Sequence, residues 1–160
     1  MTTQTALETR LATEHLFDYT VLLKPPVPIG PAQYGTRLFY EVREGRISGP
    51  AVNGDVLGGG GDWALIDPDG WTRVDVRGQA RSDDGALLYF SYRGLIEPTE
   101  AVVSAMRSGA ETAFDDQYWR VSIEVETADP RYRWLSQSAL IGRGRICRGP
   151  GVVYQVFRVC

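Results

Sequence analysis

The chain has 160 residues, 43% of them hydrophobic and 23% charged, a balance that fits one globular domain and excludes a disordered chain. A net charge of −3 argues against a nucleic-acid or acidic-membrane partner, because phosphate binding rests on clustered positive charge. Two cysteines, Cys147 and Cys160, are too few for a disulfide framework, and no apolar run reaches the roughly 18 residues of a membrane span.

Residues 1–12 read as a flexible leader with no apolar run of signal-peptide length, so a cytoplasmic location is expected. Residues 13–160 read as one β domain. The first strand, 16–23, carries Phe17, Tyr19, Val21 and Leu22 and stops at Lys24-Pro25-Pro26, where missing amide donors end a ladder. A loop rich in Pro and Gly is expected over 27–35, then a strand over 36–42 and short strands at 46–48 and 52–57. Four glycines at 58–61 read as a crossover into a strand at 63–66. Asp67-Pro68-Asp69-Gly70 suits a tight reversal.

A long strand is expected over 71–80, then a hairpin signal at Asp83-Asp84-Gly85 and a return strand over 86–93. One segment reads as helix, 98–108, with Pro98 in its first turn and Gly109 at its end. Strands at 118–126, 134–146 and 152–159 complete the chain. About nine or ten short strands with regular turns predict an all-β fold, a single antiparallel β-barrel with one short helix. One helix cannot cover both faces of a parallel sheet, which excludes a doubly wound fold.

The chemistry is bounded by what is missing. His15 is the single histidine, so the sequence offers neither a metal-ligand set nor a complete Ser-His-acid relay. No G-x-S-x-G elbow accompanies it. The 58–61 glycines and Gly142-Arg143-Gly144 lead into strands, where a dinucleotide fingerprint needs a following helix. Lys24 is the only lysine, which removes a Walker motif. Neither a metal nor a cofactor is expected.

The polar residues alternate. Along 71–81 the odd positions are Trp71, Arg73, Asp75, Arg77 and Gln79; along 118–126 Tyr118, Arg120, Ser122, Glu124 and Glu126 share a face opposite Trp119, Val121, Ile123 and Val125. A two- or four-residue hairpin loop would put Asp75 and Arg77 on the face of Phe90 and Tyr92; a three-residue loop would reverse that parity. The polar faces are either the solvent side of the sheet or a lumen carrying paired charges among aromatic rings.

Several stretches resemble a bacterial family catalogued as a domain of unknown function, DUF3237 or UPF0311. They are Gly54-Asp55-Val56-Leu57, with the glycine run and Asp62-Trp63 after it; Pro68-Asp69-Gly70; Asp75-Val76-Arg77; and Asp83-Asp84-Gly85-Ala86-Leu87-Leu88-Tyr89. Tyr92-Arg93-Gly94, Tyr118-Trp119-Arg120, Glu126-Thr127 and Tyr132-Arg133-Trp134-Leu135 follow in order. Gly58 departs from the family, which more often has proline there. The resemblance implies a compact β-barrel, and its motifs hold Asp62, Trp63, Asp75, Arg77, Arg120, Glu126 and Trp134.

Three functions fit these residues. The first is an acid–base enzyme without a cofactor (an isomerase, cyclase or lyase) acting on a small apolar or aromatic molecule. There Asp75 or Glu124 is the base and Tyr92 the proton donor. Arg77 or Arg120 holds an anionic group, and Asp62, Trp63, Phe90 and Trp134 complete the ligand site. Arginines beside Asp75 would lower its pKa, against the needs of a base. The second is a barrel that binds a ligand without turnover, and the third an oligomer-forming structural protein.

Overall fold

The computed structural model describes residues 10–160; most of the leader expected over 1–12 lies outside that range. Nine strands run in the order β1 (Thr13–Leu23), β2 (Val27–Ala32), β3 (Gly35–Ser48), β4 (Gly54–Ile66), β5 (Thr72–Ser82), β6 (Leu87–Ile96), β7 (Trp119–Glu126), β8 (Leu140–Cys147) and β9 (Gly151–Val159). One α-helix, α1 (Glu100–Ser108), joins β6 to β7. The sheet order is β1-β9-β8-β7-β6-β5-β4-β3-β2, and β1 also pairs with β3. That extra pairing, from Asp18↔Ser48 to Leu23↔Val42, closes eight strands into an antiparallel barrel and leaves β2 outside.

Most of the 27–35 segment is therefore a strand, β2, and not a loop, with only Gln33 and Tyr34 turning the chain into β3. Pro25 and Pro26 take the chain out of the ladder after Leu23, and β2 then pairs with the half of β3 that β1 does not reach (Val27↔Phe39). Pro28 and Pro31 are compatible with this because β2 is an edge, where absent donors face no partner. The separate strands expected at 46–48 and 52–57 are parts of the longer β3 and β4.

The glycine run does not cross between strands either; it lies inside β4. Pairing shifts register between Leu57 and Gly61 on the β5 side. Gly60 has φ 73°, and a Cβ there would lie 2.4 Å from the Arg77 carbonyl oxygen. A side chain is thus barred on both counts, and glycine lets the strand bulge and bend around the barrel wall. The strand expected over 134–146 is divided: Arg133–Gln137 forms a 3₁₀ turn and β8 begins at Leu140.

The hairpin between β5 and β6 decides which side chains meet inside. The Ser82 amide donates to the Ala86 carbonyl (2.9 Å), which encloses a three-residue loop with Gly85 at φ 92°. Val76 consequently pairs with Tyr92, and Gly78 with Phe90. The even positions of β5 face the lumen with Phe90 and Tyr92, and Asp75 and Arg77 face outward. β7 alternates without interruption, with Trp119, Val121, Ile123 and Val125 buried and Arg120, Ser122, Glu124 and Glu126 exposed.

The lumen has two halves. Phe17, Ile47, Ala80, Leu88, Phe90, Val125 and Val156 are almost completely buried and fill one end. At the other end the strands present mostly aliphatic side chains and a few polar-tipped rings around a hollow interior. The helix sits at the hollow end. Thr99 caps it through its hydroxyl, which accepts from the Val102 amide (3.3 Å), and it buries Val102 and Ala105.

Candidate functional site

The hollow end is a cavity of about 510 Å3, within the usual range for small-molecule sites. Its walls are mostly aliphatic, among them Val21, Leu38, Val42 and Val76. It opens beside α1, where Ala105 and Met106 line it and Met106 is half exposed. Four polar-tipped rings and one acid interrupt the apolar lining: Tyr40, Tyr92, Tyr154, Trp119 and Asp62.

Pairing register explains why these residues meet. Tyr40 on β3 is opposite Asp62 on β4; Asp62 is opposite Val76, and Val76 opposite Tyr92. Side chains at paired positions share a face, so this row crosses four strands at one height in the lumen. A second group enters from β7 and β9. Tyr154 pairs with Gly144 on β8, and Trp119 lies against that glycine, where an added Cβ would come within 2.7 Å of its indole. The Tyr92 and Tyr154 rings are 5.2 Å apart and those of Trp119 and Tyr154 5.8 Å apart. Tyr19 and Phe90 continue the stack toward the packed end, with centroids 5.1 Å apart.

Among the described residues, Asp62 is the only charged side chain lining the cavity. Its Oδ1 accepts from the Asp75 backbone amide (3.0 Å). Burial pushes its carboxyl up to about pH 7; the Asp75 amide opposes this, the Asp75 charge adds to it, and Arg37 opposes it. Arg37 itself is held away, its Nη1 donating to the Trp63 carbonyl at 2.6 Å. Burial also raises Tyr40, Tyr92 and Tyr154, and the nearby Asp62 charge adds to each shift. All three phenols therefore stay protonated across the physiological range. The Trp119 indole N–H is buried and meets no acceptor in hydrogen-bond geometry, with the Tyr154 hydroxyl as its polar neighbour.

The residues singled out from sequence divide between the two faces. Asp62 and Tyr92 line the cavity, and Phe90 lies in the packed stack below them. Asp75 does not share their face: it sits on the outer wall in ion pairs with Arg93 (3.3 Å) and Arg77 (3.4 Å). Arg77 lies over the Trp63 ring at 5.8 Å, and Trp63 stacks on Phe39 at 4.8 Å, all outside the barrel. Glu124 is exposed on β7, and Arg120 lies over Tyr118 at 5.1 Å and donates to the Trp119 carbonyl. Trp134 packs half-buried against the core from the 3₁₀ turn. The reason is the three-residue loop at 83–85, which gives β6 the opposite parity to a two- or four-residue loop. The outer wall thus takes the charged set, and the base position expected for Asp75 is vacant on the lumen side except for Asp62.

Tyr40, Trp119 and Tyr154 were not singled out by sequence. Trp119 falls on the apolar face of β7, and Tyr154 lies in a strand, 152–159, whose alternation places it with Val152 and Val156. Tyr40 carries no local signal; only the β3–β4 register sets it opposite Asp62. Among the described residues no group of three or more His, Cys, Asp or Glu could hold a metal ion. No helix among the described residues is long and apolar enough to cross a membrane.

Comparison with known proteins agrees with this architecture. A UPF0311 protein of Clostridium acetobutylicum is 32% identical over 123 residues, covering 76% of this chain and 78% of that protein. The crystal structure of a conserved protein of unknown function from Rhodopseudomonas palustris superposes with a TM-score of 0.85 at 26% identity, over 94% of this chain and 99% of that one. An enzyme from Penicillium herquei shares the fold, with a TM-score of 0.67 at 18% identity over 95% of this chain and 98% of that one. The family described as protein of unknown function DUF3237 matches residues 11–159. This chain belongs to the DUF3237 family.

Proposed function

We propose that the chain is an acid–base enzyme that uses no cofactor and acts on a small, largely apolar molecule held in the hollow half of the barrel. The reaction class is proton transfer: isomerisation, cyclisation or elimination. Asp62 takes the part of the base, and Tyr92 and Tyr154 supply hydroxyls to the oxygen on which charge develops.

One observation carries this reading. An acid lines an apolar cavity without a counter-ion, and burial holds its pKa up to about 7. A base with a pKa near the working pH combines a large ionised fraction with useful basicity. The outer-wall acid Asp75, paired with Arg77 and Arg93, lacks that environment. In the proposed step Asp62 accepts a proton from a carbon or oxygen of the ligand, and the electron pair left behind moves onto a ligand oxygen. A tyrosine O–H stabilises that oxygen, and Asp62 returns the proton to a second ligand atom. The ligand is rearranged without an oxidant or a second reactant. The surrounding aliphatic walls exclude water that would compete for the proton.

The test is proton exchange. A panel of enolisable aryl ketones is incubated with the full chain in D2O, and loss of the α-proton signal is followed by NMR. Wild type is expected to exchange at least one of them, at a rate that rises as pH passes through about 7. Asp62→Asn should lower that rate by roughly 100-fold or more, with ligand affinity retained. Exchange that is absent in wild type, or equal in Asp62→Asn, counts against the enzyme and leaves a ligand-binding barrel.

A further inference from the structure

The cavity is set apart by the charges it lacks and by the hydrogen-bonding groups it holds. The chain has 17 lysines and arginines, and none lines the cavity. Arg77, Arg93 and Arg120 come from strands that border it, yet all three point away. An anionic ligand would therefore lose its hydration, gain no cation, and meet Asp62 inside. Such an uncompensated buried charge is strongly disfavoured.

The hydrogen-bonding groups are gathered in one place. Three phenolic hydroxyls line the cavity, and the Trp119 N–H behind Tyr154 has no acceptor in hydrogen-bond geometry. A phenol oxygen accepts as well as donates, so Tyr92 and Tyr154 serve each other, and Asp62 has one oxygen engaged by the Asp75 amide. Each phenol keeps an O–H or a lone pair to offer, which a ligand oxygen can meet.

We infer that the lumen takes an uncharged, ring- or chain-like apolar molecule bearing a carbonyl or hydroxyl oxygen, which Tyr40, Tyr92 and Tyr154 meet, and that it rejects carboxylates, phosphates and sulfonates of the same shape. This rests on the lumen being the ligand site of the proposed reading, and it adds the substrate class. Charge, and not size, is the discriminating property.

Two dyes with the same rings test it. N-phenyl-1-naphthylamine is neutral, and 1-anilinonaphthalene-8-sulfonate carries a sulfonate in addition. Fluorescence titration of the full chain at pH 8 should give a Kd at least about ten-fold lower for the neutral dye. Thr72→Lys, which puts a cation at the cavity wall, should bring the two dyes within about three-fold of each other. Displacement of the neutral dye supplies the oxygen arm: 4-phenylphenol should compete several-fold better than biphenyl, and Tyr92→Phe with Tyr154→Phe should erase that advantage. Tighter or equal binding of the sulfonate by wild type overturns the inference, as does failure to bind the neutral dye or equal displacement by phenol and hydrocarbon. Neither dye is a substrate, so selectivity can hold while Asp62→Asn leaves exchange unchanged, which would sink the enzyme alone.

Discussion

At the residue scale, Asp62 is costly to the fold it sits in. Its carboxyl keeps a proton up to about pH 7 in the folded chain, against an ordinary value of 3.8. Between those two values the folded state binds more protons than the unfolded one, so stability falls as pH rises through the window. The loss is complete above about pH 7 and absent below about pH 4. That displacement corresponds to about 4 kcal/mol as an upper bound, and relaxation of the surrounding groups around the charge reduces the realised figure to about 1–3 kcal/mol. Asp62→Asn keeps an acceptor for the Asp75 amide and removes the charge. It should gain about 1–3 kcal/mol over wild type in urea denaturation at pH 8 and almost nothing at pH 4. A residue kept for structure would show the opposite sign. A variant more stable than wild type and inactive in proton exchange would mark Asp62 as retained for chemistry.

At the element scale, the difference between what sequence displays and what it conceals comes down to parity. The alternation of β7 is fully visible, because polar and apolar residues take turns and the sheet faces water on one side. The helix is visible through Pro98, its apolar side and Gly109. β2 is concealed, since four prolines around it argue for a loop and only its edge position tolerates them. The charged face of β5 can be read as an outer wall or as a lined lumen, and only the length of the 83–85 loop selects between them. Asp62 stands out in the sequence beside Trp63, but its partner Tyr40 becomes visible only through the β3–β4 register, which no local pattern encodes. The loop itself can be tested. Gly85 holds φ 92° with open space where a Cβ would stand, so strain and not crowding resists a side chain. Gly85→Ala should cost about 1–2 kcal/mol in urea denaturation, while the cavity and its dye selectivity stay as they are. A loss of the cavity would mean that the hairpin had slipped to the other parity.

At the scale of the whole molecule, the barrel joins a solid half to a hollow one. Closure by β1 and β3 leaves no free edge around the eight strands, so the packed end can fix the geometry alone and the other end is free of that duty. Two alanines of the lumen make the asymmetry measurable. Ala64 on β4 is 2% exposed and lines the cavity; Ala80 on β5 is 0% exposed and lies among Val56, Leu88 and their neighbours at the packed end. Ala80→Leu adds three carbons where interior packing leaves no room, and it should cost about 1–3 kcal/mol in urea denaturation. Ala64→Leu adds the same atoms beside an unfilled space. It should stabilise the chain by about 0.5–2 kcal/mol and weaken uptake of the neutral dye at least several-fold. Opposite signs for the same substitution would locate the hollow half as space maintained at the expense of stability. Destabilisation at both sites would mean that the interior is packed throughout, and the ligand site would go with it.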